Sequence, residues 1–264
     1  MNKYENLNVK KTGAIVEVEI DRKDGRNALS IELMKELTSC AHSIKVNTEV
    51  QCVILSGQGD SFSVGADLKD TSMSEFSKTS LQRREMLKAG PDMCQAWESL
   101  EQVTIASIEG YCIGGALALA VSCDFRVASK GAIFRLPEIP LGMNMSWQSI
   151  PRLNALIGPA ATKELVILGE EINGTTAFDW HLTQRLANKG ESKTTSLEIA
   201  KKVEALPPLP VRMSKISINA VANALNYTSS FMDRDQFQLT SLTEDQREAI
   251  KSFFEKRDGK FKGE

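Results

Sequence analysis

The sequence predicts an α/β fold in which a parallel sheet forms the body of the chain and helices make up its carboxy-terminal region. Two observations carry this reading. Strand, helix and strand patterns follow one another in that order twice before Glu138, and no convincing strand pattern follows it. The 264 residues, 42% hydrophobic and 25% charged, suit one main globular domain with a helical annex and exclude disordered, collagen-like and disulfide-framework classes.

The elements follow in order. Residues 14–20 (AIVEVEI) are β-branched and largely alternating, and residues 50–55 (VQCVIL) form a short apolar run stopped by Ser56 and Gly57, so both read as strands. Between them Ser30 is placed to N-cap a helix whose apolar positions Ile31, Met34, Leu37, Ala41 and Ile44 recur every third or fourth residue. The order repeats with a strand over 103–108, a glycine pair opening a helix, and a strand over 124–128. Further on, Gly158-Pro159 and Gly174-Thr175 each start a helix. Ser241 with Glu244 three residues on has the form of a capping box for a last helix reaching about Lys256. The prolines at 207, 208 and 210 mark a boundary, dividing the chain into a core over residues 1–205 and a helical region over 206–264.

Charge and composition narrow the partners. Lys plus Arg (32) nearly balance Asp plus Glu (34), so a net charge of −2 supplies no general field for nucleic acid or an anionic membrane. The amino terminus lacks the basic-then-apolar pattern of a signal peptide and no apolar run is long enough to span a bilayer, which leads to an expected cytoplasmic location. The five cysteines (Cys40, Cys52, Cys94, Cys112, Cys123) are odd in number, lack CxxC spacing, and read as reduced, packed side chains. No spacing points to a metal site, a Walker loop or a dinucleotide fingerprint. His42 falls off the apolar stripe of its helix and reads as a surface residue.

Two glycine-containing segments carry the chemistry: SFSVGADLK (61–69) and GYCIGGALALAVSCDFRVAS (110–129), each after a predicted strand. Glycine lets the backbone approach a ligand closely, and a helix beginning at Gly114-Gly115 aims free N–H groups outward, which suits a developing oxyanion. A lone glycine between strand and helix more often only relieves packing. Here the two segments, with RNAL (26–29) upstream, FRLPEIPLG (134–142) downstream and SFFEKR (252–257) at the end, resemble in order and spacing the motifs of the enoyl-CoA hydratase/isomerase (crotonase) superfamily over nearly the whole chain.

The resemblance implies a core of repeated β-β-α units, and carboxy-terminal helices that cap coenzyme A and assemble the chain into a homotrimer or a hexamer made of two trimers. It implies an acyl-CoA thioester as substrate, with coenzyme A present only as part of that substrate and no separate cofactor or metal. By position, the N–H groups of Ala66 and Gly115 correspond to the oxyanion hole, and each such donor contributes about 3–4 kcal/mol in a transition state. Arg26, Ala28 and Leu68 match residues lining the adenine and pantetheine groove, and Phe253 and Lys256 match the end helix that closes over CoA. For Arg26, Lys256 and the basic tail around them, an ordinary solvated charge is the competing reading. Asp124 reads as a structural hydrogen-bond partner.

Enoyl-CoA hydratases use two glutamates, and this chain keeps one. The later position is Glu138; the earlier is Ala118, and alanine exchanges no proton. The stretch MNMSWQ (143–148) also replaces the glycine-rich segment of hydratases, with Ser146 where a water-binding glycine would stand. One carboxylate above an enolate site can still remove a proton from one carbon and return it to another, so the preferred reading is double-bond isomerisation with Glu138 as the single acid/base. The runner-up is hydration or dehydration with a substitute acid, Glu75 or Glu85, or a water held by Ser146 and Asn144. A weakly catalytic CoA-binding protein is the non-enzymatic alternative. An RNA-binding role is disfavoured by the neutral charge and the 6% aromatic content.

Overall fold

The computed structural model describes residues 4–70 and 79–264. Six strands form the main sheet in the order β1 (Leu7–Thr12), β2 (Ile15–Ile20), β3 (Cys52–Gly57), β4 (Val103–Ile108), β6 (Phe125–Ser129) and β9 (Arg185–Ala187). Pairing is parallel from β2 onward, and only β1 is antiparallel to its neighbour. A smaller sheet holds β5 (Tyr111–Ile113), β7 (Ile133–Arg135) and β8 (Ile172–Asn173). The β-β-α unit is visible twice, as β4, β5 and α4 (Gly115–Val121), then β6, β7 and α5 (Ser149–Lys163).

Alternation along β2 and β3 divides the apolar side chains between the two faces of the sheet. Val16, Val18, Ile20, Val53 and Leu55 enter the main core with α1 (Ile31–Lys45), α3 (Ala89–Glu98) and α4. Ile15, Cys52 and Ile54 join the other cluster, beside Ala200 and Val203 of α7 (Ser192–Glu204). Every residue of β4 is buried, as expected of a central parallel strand covered on both faces.

Ser30 caps α1 by accepting a hydrogen bond from the Leu33 N–H, as its position predicts. Several expectations need correction. Strands do occur after Glu138, namely β8 and β9, but they span two and three residues, too few for a period to register. The strand β1 went unread because it is an edge strand carrying Lys10 and Lys11, with Leu7 its one buried residue. The last helix, α11 (Glu244–Glu255), is capped by Thr243, which accepts from the Gln246 N–H, whereas the Ser241 hydroxyl donates back to the Phe237 C=O. At Gly158 the backbone turns left-handed (φ 74°), so α5 bends and resumes at Pro159 before a π-helical turn over Glu164–Leu168.

The remaining helices are α2 (Ser80–Met86), α6 (Gly174–Asp179), α8 (Pro208–Ala222), α9 (Asn226–Ser230) and α10 (Asp233–Thr240). Asp124 ties α8 to the core: it accepts from Thr104 and pairs with Lys215 at 2.7 Å, and Lys215 donates to the Gln102 C=O. All five cysteines are buried and reduced, with each thiol pushed up by burial wherever it titrates clearly. His42 is exposed and His181 is left-handed (φ 64°). Among the described residues no helix is long and apolar enough to cross a membrane.

Candidate active site

The two glycine segments meet because a run of backbone hydrogen bonds stitches them together. Ser63 N–H donates to Tyr111 C=O at 2.9 Å and Ile113 N–H donates to Ser63 C=O at 3.2 Å. The loop around Ala66 is held from the other side, with Leu29 N–H donating to Gly65 C=O and Asp67 N–H to Leu29 C=O. This bracketing turns the intervening Ala66 N–H away from Leu29. Among the described residues neither the Ala66 nor the Gly115 N–H donates to a recorded acceptor. The close approach depends on Gly65 (φ 87°), where a Cβ would strike the Ile113 carbonyl and lie 3.4 Å from the Gly115 nitrogen.

Ala66 and Gly115 both line a cavity of about 140 Å³ whose lining also includes Pro137, Glu138, Met145, Ser146, Trp147 and Arg234. Glu138 is the one carboxylate among its described lining residues. Turns following Pro137 hold its backbone, since the Leu141 and Met143 N–H groups both donate to the Glu138 C=O. Its side chain leans over the start of α4: a Cβ on Gly114 (φ 55°) would sit 2.7 Å from Glu138 Oε1. The other oxygen, Oε2, is buried without a partner. Burial therefore pushes the carboxyl up to about 7, only partly offset by its own backbone N–H.

Trp147 and Gln148 are both left-handed (φ 61° and 57°), a costly conformation for two consecutive non-glycine residues. Buried partners hold them there. Arg152 donates to both their carbonyls and forms a two-point pair with Glu98 at 2.7 and 3.0 Å, and the Gln148 N–H donates to Asp233 at 2.9 Å. The indole is thereby laid against Gly90 and Gly115, leaving no space for a side chain at either.

A second apolar cavity of about 500 Å³ shares Leu68, Leu87, Met143 and Phe237 with the first and is walled by α10 and α11. Leu68 is 73% exposed at this junction. Arg26 and Ala28 lie on the neighbouring loop and line neither cavity: the Arg26 C=O accepts from Val64 N–H, and the Ala28 C=O accepts from Arg22. Phe253 and Lys256 are exposed at the end of α11, also outside both linings. Of the acids weighed as substitutes, Glu75 lies outside the described residues. Glu85 is excluded by geometry, because it is exposed, pairs with Lys88 at 2.5 Å and does not line the Glu138 cavity. The Asn144 amide is taken up by Met145 C=O and Gln236.

Arg234 and Phe237, one turn apart on α10, were missed by motif reading, since nothing in their local sequence marks them and only the packing of α10 brings them to the cavity. A larger cavity of about 710 Å³ lies beneath α8 and contains none of the motif glycines or Glu138.

Comparison with known proteins identifies the family and the fold. The family model described as enoyl-CoA hydratase/isomerase matches residues 10–264. The short-chain-enoyl-CoA hydratase of Clostridium acetobutylicum is 32% identical over 253 residues, covering 96% of this chain and 95% of the relative. The crotonyl-CoA hydratase of Syntrophomonas wolfei is 30% identical, covering 98% of both. Among solved structures, an enoyl-CoA hydratase/isomerase from Pseudoalteromonas atlantica superposes with a TM-score of 0.86 at 26% identity, over 98% of this chain and all of the other. An enoyl-CoA hydratase from Mycobacterium avium subsp. paratuberculosis superposes at 0.87 and 20% identity, over 98% of this chain and all of the other, a likeness of fold. With both glycine segments and Glu138 joined at one cavity and nearly its whole length matched, the chain belongs to the enoyl-CoA hydratase/isomerase family of crotonase-fold enzymes.

Proposed function

We propose that this enzyme moves the double bond of an enoyl-CoA thioester, with Glu138 as its single acid and base. The observation that carries the reading is Glu138, the one carboxyl among the described lining residues, poised near neutrality, with Ala118 buried in α4 where hydratases have their other glutamate. Ionised Glu138 takes a proton from C2 of a 3-enoyl thioester. The C–H electrons pass into the carbonyl, giving a dienolate whose oxygen the Ala66 and Gly115 N–H groups hold. Protonated Glu138 then returns the proton to C4, and the double bond closes between C2 and C3. A group that must both accept and give a proton works best with its pKa near the working pH.

In this reading the outer cavity beside Leu68 takes the pantetheine arm, with Arg26, Ala28, Phe253 and Lys256 reaching the nucleotide end. The apolar residues that α8 exposes, among them Leu209, Met213 and Val221, support association of copies into a trimer or hexamer. Light scattering that finds a single 29.1 kDa chain at micromolar concentration would remove that part.

Hydration is the second reading, favoured by the names of the relatives and by Ser146, a hydroxyl-bearing residue in the cavity lining. The deciding assay follows conversion of a 3-enoyl-CoA to its conjugated 2-enoyl isomer alongside hydration of crotonyl-CoA. Isomerisation should be faster by orders of magnitude, since one missing positioned acid or base costs about 10² to 10⁴ in rate. Rapid hydration with slow isomerisation would overturn the proposal.

A further inference from the structure

Among the described residues that line the acyl cavity, Arg234 is the one cation. Arg234 sits in the first turn of α10, three residues before Phe237, and both line the cavity that holds Glu138 and Trp147. Phe237 also borders the outer cavity, whereas Arg234 lines the inner one alone. Its Nε is buried without a hydrogen-bond partner, and among the described residues the guanidinium makes no ion pair. The acids around it are already committed. Asp235 is held by Arg84 at 2.5 and 3.1 Å, Glu85 by Lys88, and Asp233 accepts from the Gln148 N–H. Nor does Arg234 neutralise the catalytic carboxyl: a cation beside Glu138 would hold it low, and instead burial raises it.

Arg234 has an enclosed Nε–H that lacks an acceptor, and an anion in the cavity would supply one. Its planar fork fits a carboxylate through two parallel hydrogen bonds. The cavity, at about 140 Å³, is close to the size of one that holds benzene, about 150 Å³, so the acyl group that fills it is short and its far end reaches the wall. We propose that Arg234 determines specificity by pairing with a second carboxylate at the distal end of the acyl chain, so that the substrate is a short acyl-CoA thioester ending in a carboxylate. This rests on the acyl-CoA reading above and adds the identity of the acyl end.

The test compares two saturated five-carbon thioesters, glutaryl-CoA and pentanoyl-CoA, which match in chain length and differ at the terminus. Binding is read by calorimetry and so requires no turnover. The wild-type enzyme should bind glutaryl-CoA more tightly by about 10- to 100-fold, the range for a charge-assisted hydrogen bond. Arg234→Met should collapse or invert that ratio and Arg234→Lys should keep part of it, with thermal melting used to check that both variants fold. A wild-type preference for pentanoyl-CoA, or an unchanged ratio in a folded Arg234→Met, overturns the proposal while leaving the acyl-CoA reading intact. No binding of either thioester removes the acyl-CoA reading and this proposal with it.

Discussion

The indole of Trp147 and the backbone of Gly115 share one boundary: a Cβ on Gly115 would clash with the six-membered ring at Cζ3 and Cη2. The residue that offers an N–H to the cavity is thus also the residue against which the cavity wall is laid. A change at this contact is therefore expected to alter both activity and chain-length preference.

Trp147→Ala should open the inner cavity beyond its present volume of about 140 Å³. The wild-type enzyme is expected to prefer acyl chains of about four to six carbons, from the likeness to a benzene-sized cavity. The variant should shift its best kcat/KM to longer chains, with each added methylene changing discrimination by about 1–3 kcal/mol. A kcat/KM series over chain length checks this, and an unshifted optimum would show that the wall lies elsewhere.

Gly115→Pro removes the N–H at the first position of α4, a place that tolerates proline in helix terms. Its ring would still meet the indole, so the informative protein is Gly115→Pro combined with Trp147→Ala, compared with Trp147→Ala alone. Losing one oxyanion donor should lower kcat by about 10² to 10³. Equal kcat in the two folded proteins would take Gly115 out of the oxyanion site.

Glu138→Gln should remove isomerisation by about 10² to 10⁴ in rate, and wild-type kcat/KM should fall as pH drops below about 7 and the base becomes protonated. The linked effect on stability has the opposite sense. Folding raises this carboxyl from 4.5 to about 7, so the native state holds the proton more tightly. That contribution is complete below pH 4.5 and is lost as pH rises through 7. Glu138→Gln escapes the loss, and its stability relative to wild type should grow across this window to about 3 kcal/mol at alkaline pH. Denaturant titrations at pH 5 and pH 8 read the difference, and a parallel offset at both values would contradict it.

Arg152→Leu breaks a buried two-point pair and frees two left-handed carbonyls together. A loss of about 3–5 kcal/mol is expected because Glu98 is left charged and unpaired. Adding Glu98→Leu should restore much of the stability but not the activity, since the Trp147 and Gln148 carbonyls have then lost their Arg152 donor and only Asp233 still holds the Gln148 N–H. Full recovery of kcat/KM in the double variant would mean that the pair serves stability alone.

The sequence by itself determined the family, the helix cap at Ser30, the central strands and the lone Glu138, because each rests on residue type and spacing within a short segment. It also exposed the absence of a carboxylate at Ala118 and the replacement of glycines over residues 143–148. Only the tertiary structure decided what that replacement does: Trp147 and Gln148 are held left-handed by Arg152, Glu98 and Asp233, residues from three separate elements. The short strands β8 and β9 are likewise defined by their partners across the sheet and carry no period of their own. Arg234 is the clearest case. Its local sequence is that of any solvated helix, and its meaning comes from α10 packing it into the cavity while Asp235 and Glu85 pair with Arg84 and Lys88.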